Sequence, residues 1–206
     1  MYYLLHDPKK LVRLQEEVRS TFARVEDISF NNGTSSCPYL HACIDEALRM
    51  NPPVGSILRR EVESTGVVVD DVVYPPDTNV GVPVFAIHHD KEYFPDPFQY
   101  QPERWIPGET LADGSIVTEE DVARARSAFM PFSAGTRSCI GRPLVFMQIQ
   151  VLYATLILKY EFRLCKDRWV NGHHSGSGPD PTAEYELSDI FTSWMSGPLI
   201  ELKARN

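Results

Sequence analysis

Apolar residues recur every three or four positions in two stretches near the N-terminus, which is the spacing of one α-helix face. The first stretch begins at Asp7-Pro8, an N-cap residue followed by a proline suited to the first turn, and its apolar positions are Leu11, Leu14, Val18 and Phe22. The second begins near Ser36 with Pro38 in its first turn, is ended by Asn51-Pro52-Pro53, and has its apolar positions at Leu40, Ile44, Ala47 and Leu48. Both patterns predict surface helices. The other face of the first helix is expected to be solvated and carries Lys9, Lys10, Arg13, Glu16, Glu17 and Arg19.

A third helical pattern, at residues 144–158, is apolar on nearly all sides, which predicts a helix buried in a larger body. Short apolar runs predict strands at 61–63, 67–69, 72–74 and 80–85, with Asp70-Asp71 as a turn, and again at 160–164, 185–187 and 199–202. Between these groups, residues 106–130 are predicted to form a polar linker in which Thr118 caps a short turn. The pattern therefore predicts a mainly α chain with small antiparallel β-sheets, an α+β fold.

Composition narrows the class of protein. The 20 basic and 28 acidic residues give a net charge of −8, which argues against nucleic acid or anionic lipid as a partner. The four cysteines form no C-x-x-C pair and no dense cluster, so we expect neither a zinc module nor a disulfide framework, and a reducing compartment fits best. The longest apolar region, 144–158, is too short to span a bilayer and contains Gln148 and Gln150, so no transmembrane segment is expected.

One cysteine lies in a loop with unusual chemistry. Gly135 and Gly141 bracket Cys139, Arg137 precedes it by two residues, and Pro143 can open the following helix. Glycines allow tight backbone conformations and remove the Cβ atoms that would keep a planar group away. The helix dipole and nearby guanidinium groups favour an anionic sulfur, so Cys139 is predicted to be a ligand or a nucleophile. The alternative is a surface turn with an ordinary free cysteine.

The spacing Phe132-x-x-Gly135-x-Arg137-x-Cys139-x-Gly141 resembles the haem-ligand signature of the cytochrome P450 superfamily, the haem-thiolate monooxygenases. The resemblance implies that Cys139 is the axial thiolate of the iron of haem b, that Arg137 pairs with a haem propionate, and that Phe132 packs beside the sulfur loop. A nucleophile or metal ligand in an unrelated fold is the alternative role for Cys139.

Two further motifs resemble the same family. Glu46-x-x-Arg49 resembles its helix motif, and Pro102-Glu103-Arg104-Trp105 resembles its meander motif. Taken alone, Glu46 and Arg49 would be a solvated pair contributing about 0.2–0.5 kcal/mol. The resemblance implies instead that Arg104 joins them in a buried network, in which one carboxylate is shared by two guanidinium groups.

Other positions follow the family in order. By the resemblance, Arg60 contacts a haem propionate, with Arg59 as the alternative, and His88 lies near the haem edge. Adjacent histidines on a strand point to opposite faces, so His88 and His89 are not expected to form a separate metal site. The predicted substrate-pocket residues, for which ordinary core packing is the alternative at the C-terminal positions, are Val54, Ile57, Phe191, Trp194 and Met195.

The resemblance implies the C-terminal part of a P450 fold. Residues 1–206 would form a single incomplete domain with the J and K helices, a β-sheet, the meander, the Cys loop, the L helix and a C-terminal hairpin. The expected activity is hydroxylation or epoxidation of a small organic substrate with dioxygen and electrons from NADPH through NADPH–cytochrome P450 reductase. A basic patch around the Cys139 loop would suit docking of an acidic electron donor, with solvation as the alternative role, and consists of Arg124, Arg126, Arg137 and Arg142.

The residues within these motifs resemble those of fungal members of the family that act on secondary metabolites. The expected location is cytosolic or at the endoplasmic reticulum. The body of the central helix, with the acid/alcohol pair that delivers protons to dioxygen, and the usual N-terminal anchor have no counterpart in these 206 residues. The alternative function is therefore a truncated, catalytically inactive remnant of such an enzyme.

Overall fold

A computed structural model describes residues 1–29, 36–165, 169–170, 173–174, 188–190, 192–194 and 199–205. The helices of this part are α1 (Tyr2–His6), α2 (Pro8–Thr21), α3 (Pro38–Met50), α4 (Val84–His88), α5 (Glu119–Ala128) and α6 (Arg142–Lys159), with 3-10 turns at Val25–Asp27, Pro102–Trp105 and Gly135–Arg137. Its strands are β1 (Arg60–Glu61), β2 (Val67–Val69), β3 (Val72–Tyr74), β4 (Asn79–Val80), β5 (Tyr160–Leu164), β6 (Trp169–Val170), β7 (His173–His174), β8 (Ser188–Ile190), β9 (Thr192–Trp194) and β10 (Ile200–Ala204). The expected fold class, helices with small antiparallel sheets, is confirmed.

The two N-terminal helices begin where the sequence predicts. The Asp7 carboxylate accepts hydrogen bonds from the main-chain N–H groups of Lys9 and Lys10 at 3.2 and 3.3 Å, and Pro8 occupies the first turn of α2. Pro38 likewise opens α3. The apolar faces of both helices pack with α6 and β5 in the main core, whose buried members include Leu14, Val18, Leu40, Ile44, Ala154, Ile157 and Phe162.

Glu17 does not project into solvent as expected but caps the neighbouring helix. Its two carboxylate oxygens accept the main-chain N–H groups of Tyr39 and Leu40 at 2.8 and 2.9 Å. These are two of the N–H groups that the start of a helix leaves without an intrahelical acceptor. Helix α3 has no acidic residue in its own first turn, and its N-cap Cys37 makes no side-chain cap bond. Glu17 therefore supplies from α2 the negative charge that the N-terminus of α3 lacks.

Arg19, two residues after Glu17 on α2, also makes contacts that the sequence did not predict. Its guanidinium donates to the carbonyls of Ile157 and Tyr160 at 3.3 Å and pairs with Glu161 at 2.8 Å. These carbonyls lie at the C-terminal end of α6, where a positive charge is favourable. Glu17 and Arg19 thus join α2 to α3 and α6, whereas Lys9 and Glu16 of the same helix are exposed as expected.

The described sheets are all two-stranded and antiparallel, with pairs β1–β4, β2–β3, β5–β10, β6–β7 and β8–β9. The predicted strands 67–69 and 72–74 are confirmed as a hairpin, turned by Asp70 and Asp71 with φ of 48° and 62°. Positive φ at both central residues matches the twist of hairpin strands. The predicted strands 160–164 and 199–202 are confirmed as β5 and β10, whereas 185–187 lies outside the described residues. The predicted strand 61–63 forms as β1, one residue earlier and one residue shorter.

The expected strand at 80–85 is wrong. Only Asn79–Val80 pairs as a strand, and Val84–His88 forms α4. Pro83 is the N-cap of α4, and a proline cannot donate to a strand ladder, which explains why pairing ends in an isolated bridge between Ile57 and Pro83. His88 and His89 therefore follow one another at the end of a helix, and the argument from strand geometry does not apply to them.

Two other elements differ from expectation in extent. The turn expected after Thr118 is the ten-residue helix α5, because Thr118 and Asp121 form a reciprocal capping box and its buried Ala125 and Ala128 pack into a second core cluster. Helix α6 buries Gln150, Ala154 and Ile157, while Leu144 and Leu152 are half exposed. In the part of the chain that the structure describes, no helix combines the length and apolar character needed to cross a membrane.

The cap that Glu17 provides can be tested by mutation. We expect Glu17→Ala to lower the free energy of unfolding by about 1–2 kcal/mol, because two N–H groups of α3 lose their acceptor. The exposed neighbour Glu16 is the matched control, and Glu16→Ala should change stability by less than about 0.5 kcal/mol. Equal losses for the two variants in urea denaturation would contradict the cap.

Candidate functional site

The loop that carries Cys139 is closed by its own backbone. The Cys139 main-chain N–H donates to the carbonyl of Phe132 at 2.9 Å, and Ser138 N–H donates to the carbonyl of Gly135 at 3.1 Å. Ser133 and Gly135 have φ of 62° and 70°, a left-handed conformation that costs glycine little. A Cβ atom at Gly135 would meet nothing within 4 Å, so conformation and not space requires glycine there.

Gly141 differs from Gly135. It is the N-cap of α6 with φ −77° and ψ −6°, which any residue can adopt, and a Cβ atom there would lie 3.6 Å from Cys139 Sγ, an ordinary contact distance. The expectation that unusual backbone angles bracket Cys139 on both sides is therefore met only on its N-terminal side. Gly141 keeps the space next to the sulfur open.

The surroundings of the thiol fit a large planar ligand. Cys139 is exposed, and the large apolar side chains near it in sequence are also uncovered, with Ile140 99% and Leu144 51% exposed. Behind the loop, the Phe132 ring packs on Phe146 of α6 with 5.5 Å between ring centroids. A soft sulfur ligand beside exposed apolar surface suits the iron and the macrocycle of haem, which gains by burying such surface.

The three residues of the predicted network come together in the interior. Glu46 and Arg49 are fully buried, and Arg104 is 4% exposed. Arg49 donates from Nε and Nη2 to the two Glu46 oxygens at 2.9 Å, and Arg104 Nε donates to Glu46 at 3.1 Å. Helix α3 is thereby joined to the 3-10 turn Pro102–Trp105.

Two further donors complete the hydrogen bonding of the Glu46 carboxylate, and the sequence did not indicate them. Trp105 Nε1 donates to Glu46 at 3.0 Å, and the main-chain N–H of Gln101 donates at 3.0 Å. The Trp105 contact could have been anticipated, because a buried indole N–H requires an acceptor. Glu103, between these residues, faces the other way and accepts from Tyr39 Oη at 2.7 Å.

The electrostatics of Glu46 follow from these contacts. Burial alone would raise the pKa of the carboxyl group, but the charges of Arg104 and Arg49 and their hydrogen bonds outweigh burial and lower the pKa to about 2. Glu46 is therefore ionised at neutral pH. Because its pKa lies below the usual value in the folded state, the stability it contributes is present above about pH 4.5 and is lost as the pH falls towards 2.

His88, predicted at the haem edge, is enclosed by protein. Its side chain is fully buried at the end of α4, Nδ1 lies 3.1 Å from the carbonyl of Arg49, and Nε2 accepts the main-chain N–H of Met130 at 2.9 Å. Both ring nitrogens thus have main-chain partners. Met130 directly precedes the segment that forms the Cys139 loop.

The remaining predicted positions vary in their placement. Arg60 and Arg59 are exposed, with Arg60 Nη1 donating to the Arg59 carbonyl at 2.9 Å. Arg137 is exposed in the loop, Val54 is half-buried and Ile57 is 45% exposed. Phe191 and Met195, and the side chain of Trp194, lie outside what the structure describes.

The structure nevertheless brings the C-terminal hairpin beside the segment that contains Val54. Ser193 in β9 donates its main-chain N–H to the carbonyl of Pro53 and its hydroxyl to the carbonyl of Pro52, both at 2.7 Å. The two stretches predicted to line a pocket are therefore neighbours at these contacts.

The expected basic patch is neutralised in part. Arg126 pairs with Asp45 at 2.6 Å and lies over the Trp105 ring, 4.5 Å from its centroid, while Arg124 pairs with Asp121. Arg124 is thus paired within α5, and Arg126 packs on Trp105 of the second core cluster. The positive charge of each arginine is already paired with a carboxylate of this chain.

An apolar cavity of about 600 Å³ lies between α1, α3, α6 and the β5–β10 sheet. Its lining includes Leu48, Leu152 and Tyr153 and no residue of the Cys139 loop. The thiol of Cys43, in its lining, has its pKa raised to about 12, mainly by burial, so this thiol is protonated at neutral pH.

Comparison with known proteins gives a consistent result. The sequence model of the family described as Cytochrome P450 matches residues 1–177. The chain is 40% identical over 196 residues to cytochrome P450 monooxygenase lcsN of Purpureocillium lilacinum, covering 94% of this chain and 54% of that protein. It is 38% identical over 205 residues to cytochrome P450 monooxygenase apf8 of Gibberella fujikuroi, covering 100% of this chain and 54% of that protein. The chain thus spans about half the length of these curated relatives.

The Glu46 network yields a stability prediction. Glu46→Ala or Arg49→Ala leaves a buried charge without its partner, so each should lower the free energy of unfolding by about 3–5 kcal/mol. The exposed Glu120→Ala should cost less than about 0.5 kcal/mol in the same denaturant titration. If Glu46→Ala unfolded at the wild-type midpoint, the network would not be what stabilises this region.

Proposed function

The chain belongs to the cytochrome P450 family, and we propose that it forms the haem-binding part of a haem-thiolate monooxygenase. The observation that carries this proposal is the exposed Cys139 thiol, held by a backbone-closed loop at the N-terminus of α6 with uncovered apolar neighbours. An ordinary free cysteine would need neither the left-handed turn at Gly135 nor the buried network that lies behind the meander.

The proposed roles follow from where each side chain lies. Cys139 is the iron ligand, Phe132 packs behind its loop, Gly135 allows the loop conformation, and Gly141 keeps space open beside the sulfur. When haem is bound, it supplies the iron at which dioxygen is activated, and thiolate ligation favours O–O cleavage. The protein contributes position, electrostatics and the exclusion of water.

The haem propionates need cationic partners, and the exposed guanidinium groups of Arg60 and Arg137 are proposed for this role. A direct contact between His88 and haem is not part of the proposal, because both ring nitrogens already lie within hydrogen-bonding distance of main-chain atoms.

The reaction we propose is hydroxylation or epoxidation of a small organic substrate in secondary-metabolite biosynthesis, with electrons from NADPH delivered by a reductase. The names of the fungal relatives, which are monooxygenases, support the reaction class. Substrate contacts are proposed for Val54 and Ile57 and for the hairpin residues Phe191, Trp194 and Met195. The hydrogen bonds of Ser193 to the 52–53 segment support this grouping.

A second candidate is a catalytically inactive remnant of such an enzyme. The observation that favours it is that Ile140, beside Cys139, is almost completely exposed. In that case haem would be held weakly or not at all.

One spectrum tests the proposed function. After reconstitution with haem and reduction, the protein treated with carbon monoxide should give the strongly red-shifted Soret band of thiolate-ligated haem. Cys139→Ser should abolish this band, because it removes the thiolate that is proposed as the iron ligand. Cys165→Ser, at the end of β5, is the matched control and should retain the band.

Failure of the wild-type protein to take up haem would support the inactive remnant. Retention of the band in Cys139→Ser would contradict the assignment of the ligand.

A further inference from the structure

We propose that His88 is a positioning residue that anchors the Cys139 loop to the buried Glu46 carboxylate network. The inference rests on the proposed function only in the purpose of the loop, which is to hold a haem ligand. The anchoring itself is a property of the chain without haem.

The first half of the anchor is a reciprocal contact between α3 and α4. Arg49 Nη1 donates to the His88 carbonyl at 2.8 Å, and His88 Nδ1 lies 3.1 Å from the Arg49 carbonyl. Arg49 is itself fixed by two hydrogen bonds to the Glu46 carboxylate. Displacement of His88 therefore disturbs the same arginine that neutralises Glu46.

The second half joins His88 to the Cys139 loop. The Met130 main-chain N–H can only donate, so His88 Nε2, at 2.9 Å, must be the unprotonated nitrogen and Nδ1 must carry the proton. The structure therefore requires one neutral tautomer, which donates to the Arg49 carbonyl and accepts from Met130. Such a ring connects two main-chain segments that are 81 residues apart, a separation given by the residue numbers 49 and 130.

From Met130 the connection to the cysteine is short. The Met130 carbonyl accepts Ser133 N–H at 3.0 Å, which fixes the left-handed turn at the start of the loop. The Phe132 carbonyl accepts Cys139 N–H at 2.9 Å and closes the loop. An anchored Met130 therefore fixes the start of the turn, and the carbonyl of Phe132, two residues further on, holds the end that presents Cys139.

The His88 ring is also held in orientation by aromatic neighbours. Phe129 stacks on it with centroids 5.5 Å apart and an interplanar angle of 24°, and the Phe94 ring meets it edge-on at 6.2 Å. The His88 side chain between these rings is fully buried and does not reach solvent. The geometry explains why His88 can act on the loop without touching a ligand.

Protonation would break this anchor. A second N–H on the ring would face the Met130 N–H, two donors with no acceptor between them. Burial lowers the pKa of His88 to about 4, partly opposed by the hydrogen bond to the Arg49 carbonyl. The charges that act on the ring are Arg49 and Glu46 from α3 and His89 on its own helix, whereas its neighbours Phe94, Phe129 and Met130 carry none.

The sign of the pH effect follows from the lowered pKa. Between about pH 6.5 and pH 4 the unfolded chain binds a proton at His88 that the folded chain does not. Stability from His88 is therefore complete above pH 6.5 and decreases as the pH falls towards 4.

The test compares His88→Phe with His88→Gln by amide hydrogen exchange of residues 129–141, without haem. In His88→Phe the loop should exchange about tenfold faster, the order expected for loss of one buried hydrogen bond. In His88→Gln the amide oxygen can accept from Met130 and should restore much of the protection. His89→Phe is the matched control, because His89 stacks on Phe85, and it should leave the loop at the wild-type rate.

The pH profile separates anchoring from packing alone. After correction for intrinsic exchange, lowering the pH from 6.5 to 4 should loosen the loop in the wild type and His89→Phe but not in His88→Phe or His88→Gln, which cannot be protonated there.

Equal loop exchange in wild type and His88→Phe, or a wild-type profile without the pH step, would overturn the inference. Because these readouts need no haem, they can succeed where haem uptake fails, and a protein with the thiolate spectrum but no change in exchange would overturn the role of His88 alone.

Discussion

The buried carboxylate of Glu46 is the constraint on which the arrangement of α3, the Pro102–Trp105 turn and the Cys139 loop depends. It accepts five hydrogen bonds, from Arg49, Arg104, Trp105 and the main chain of Gln101, and none of its capacity is left to water. A carboxylate without these donors would cost several kcal/mol to bury. The meander therefore has to lie against α3 in the one register that brings these donors to the carboxylate.

The same network reaches the cysteine loop through main-chain contacts. Arg49 and His88 exchange hydrogen bonds, His88 accepts from Met130, and the turn that follows Met130 presents Cys139. At the opposite end of α3, the Glu17 carboxylate from α2 supplies negative charge at the helix N-terminus. Helix α3 is thus stabilised at its N-terminus by Glu17 of α2 and near its C-terminus by its own Glu46–Arg49 ion pair. This helix supports the Cys139 loop, which is itself exposed.

Sequence reasoning found the residues whose role is visible in local spacing, such as the Asp7 cap, Pro38 and the Glu46, Arg49 and Arg104 set. It missed contacts that depend on tertiary placement. A charged Glu17 on an amphipathic helix looks solvated until the start of another helix is placed beside it. The strand expected at 80–85 does not form, because the apolar run around Pro83 has the composition of a strand but lacks the donor that a strand needs there.

The chain belongs to the cytochrome P450 family and spans about half the length of the curated relatives it matches. The central claim is that the Glu46 carboxylate orders the Cys139 loop from a distance. Native-state hydrogen exchange of Glu46→Gln tests this claim most directly. The account predicts faster exchange in residues 129–141 together with the meander at 99–105. Faster exchange in the meander alone, with the loop at its wild-type rate, would contradict it.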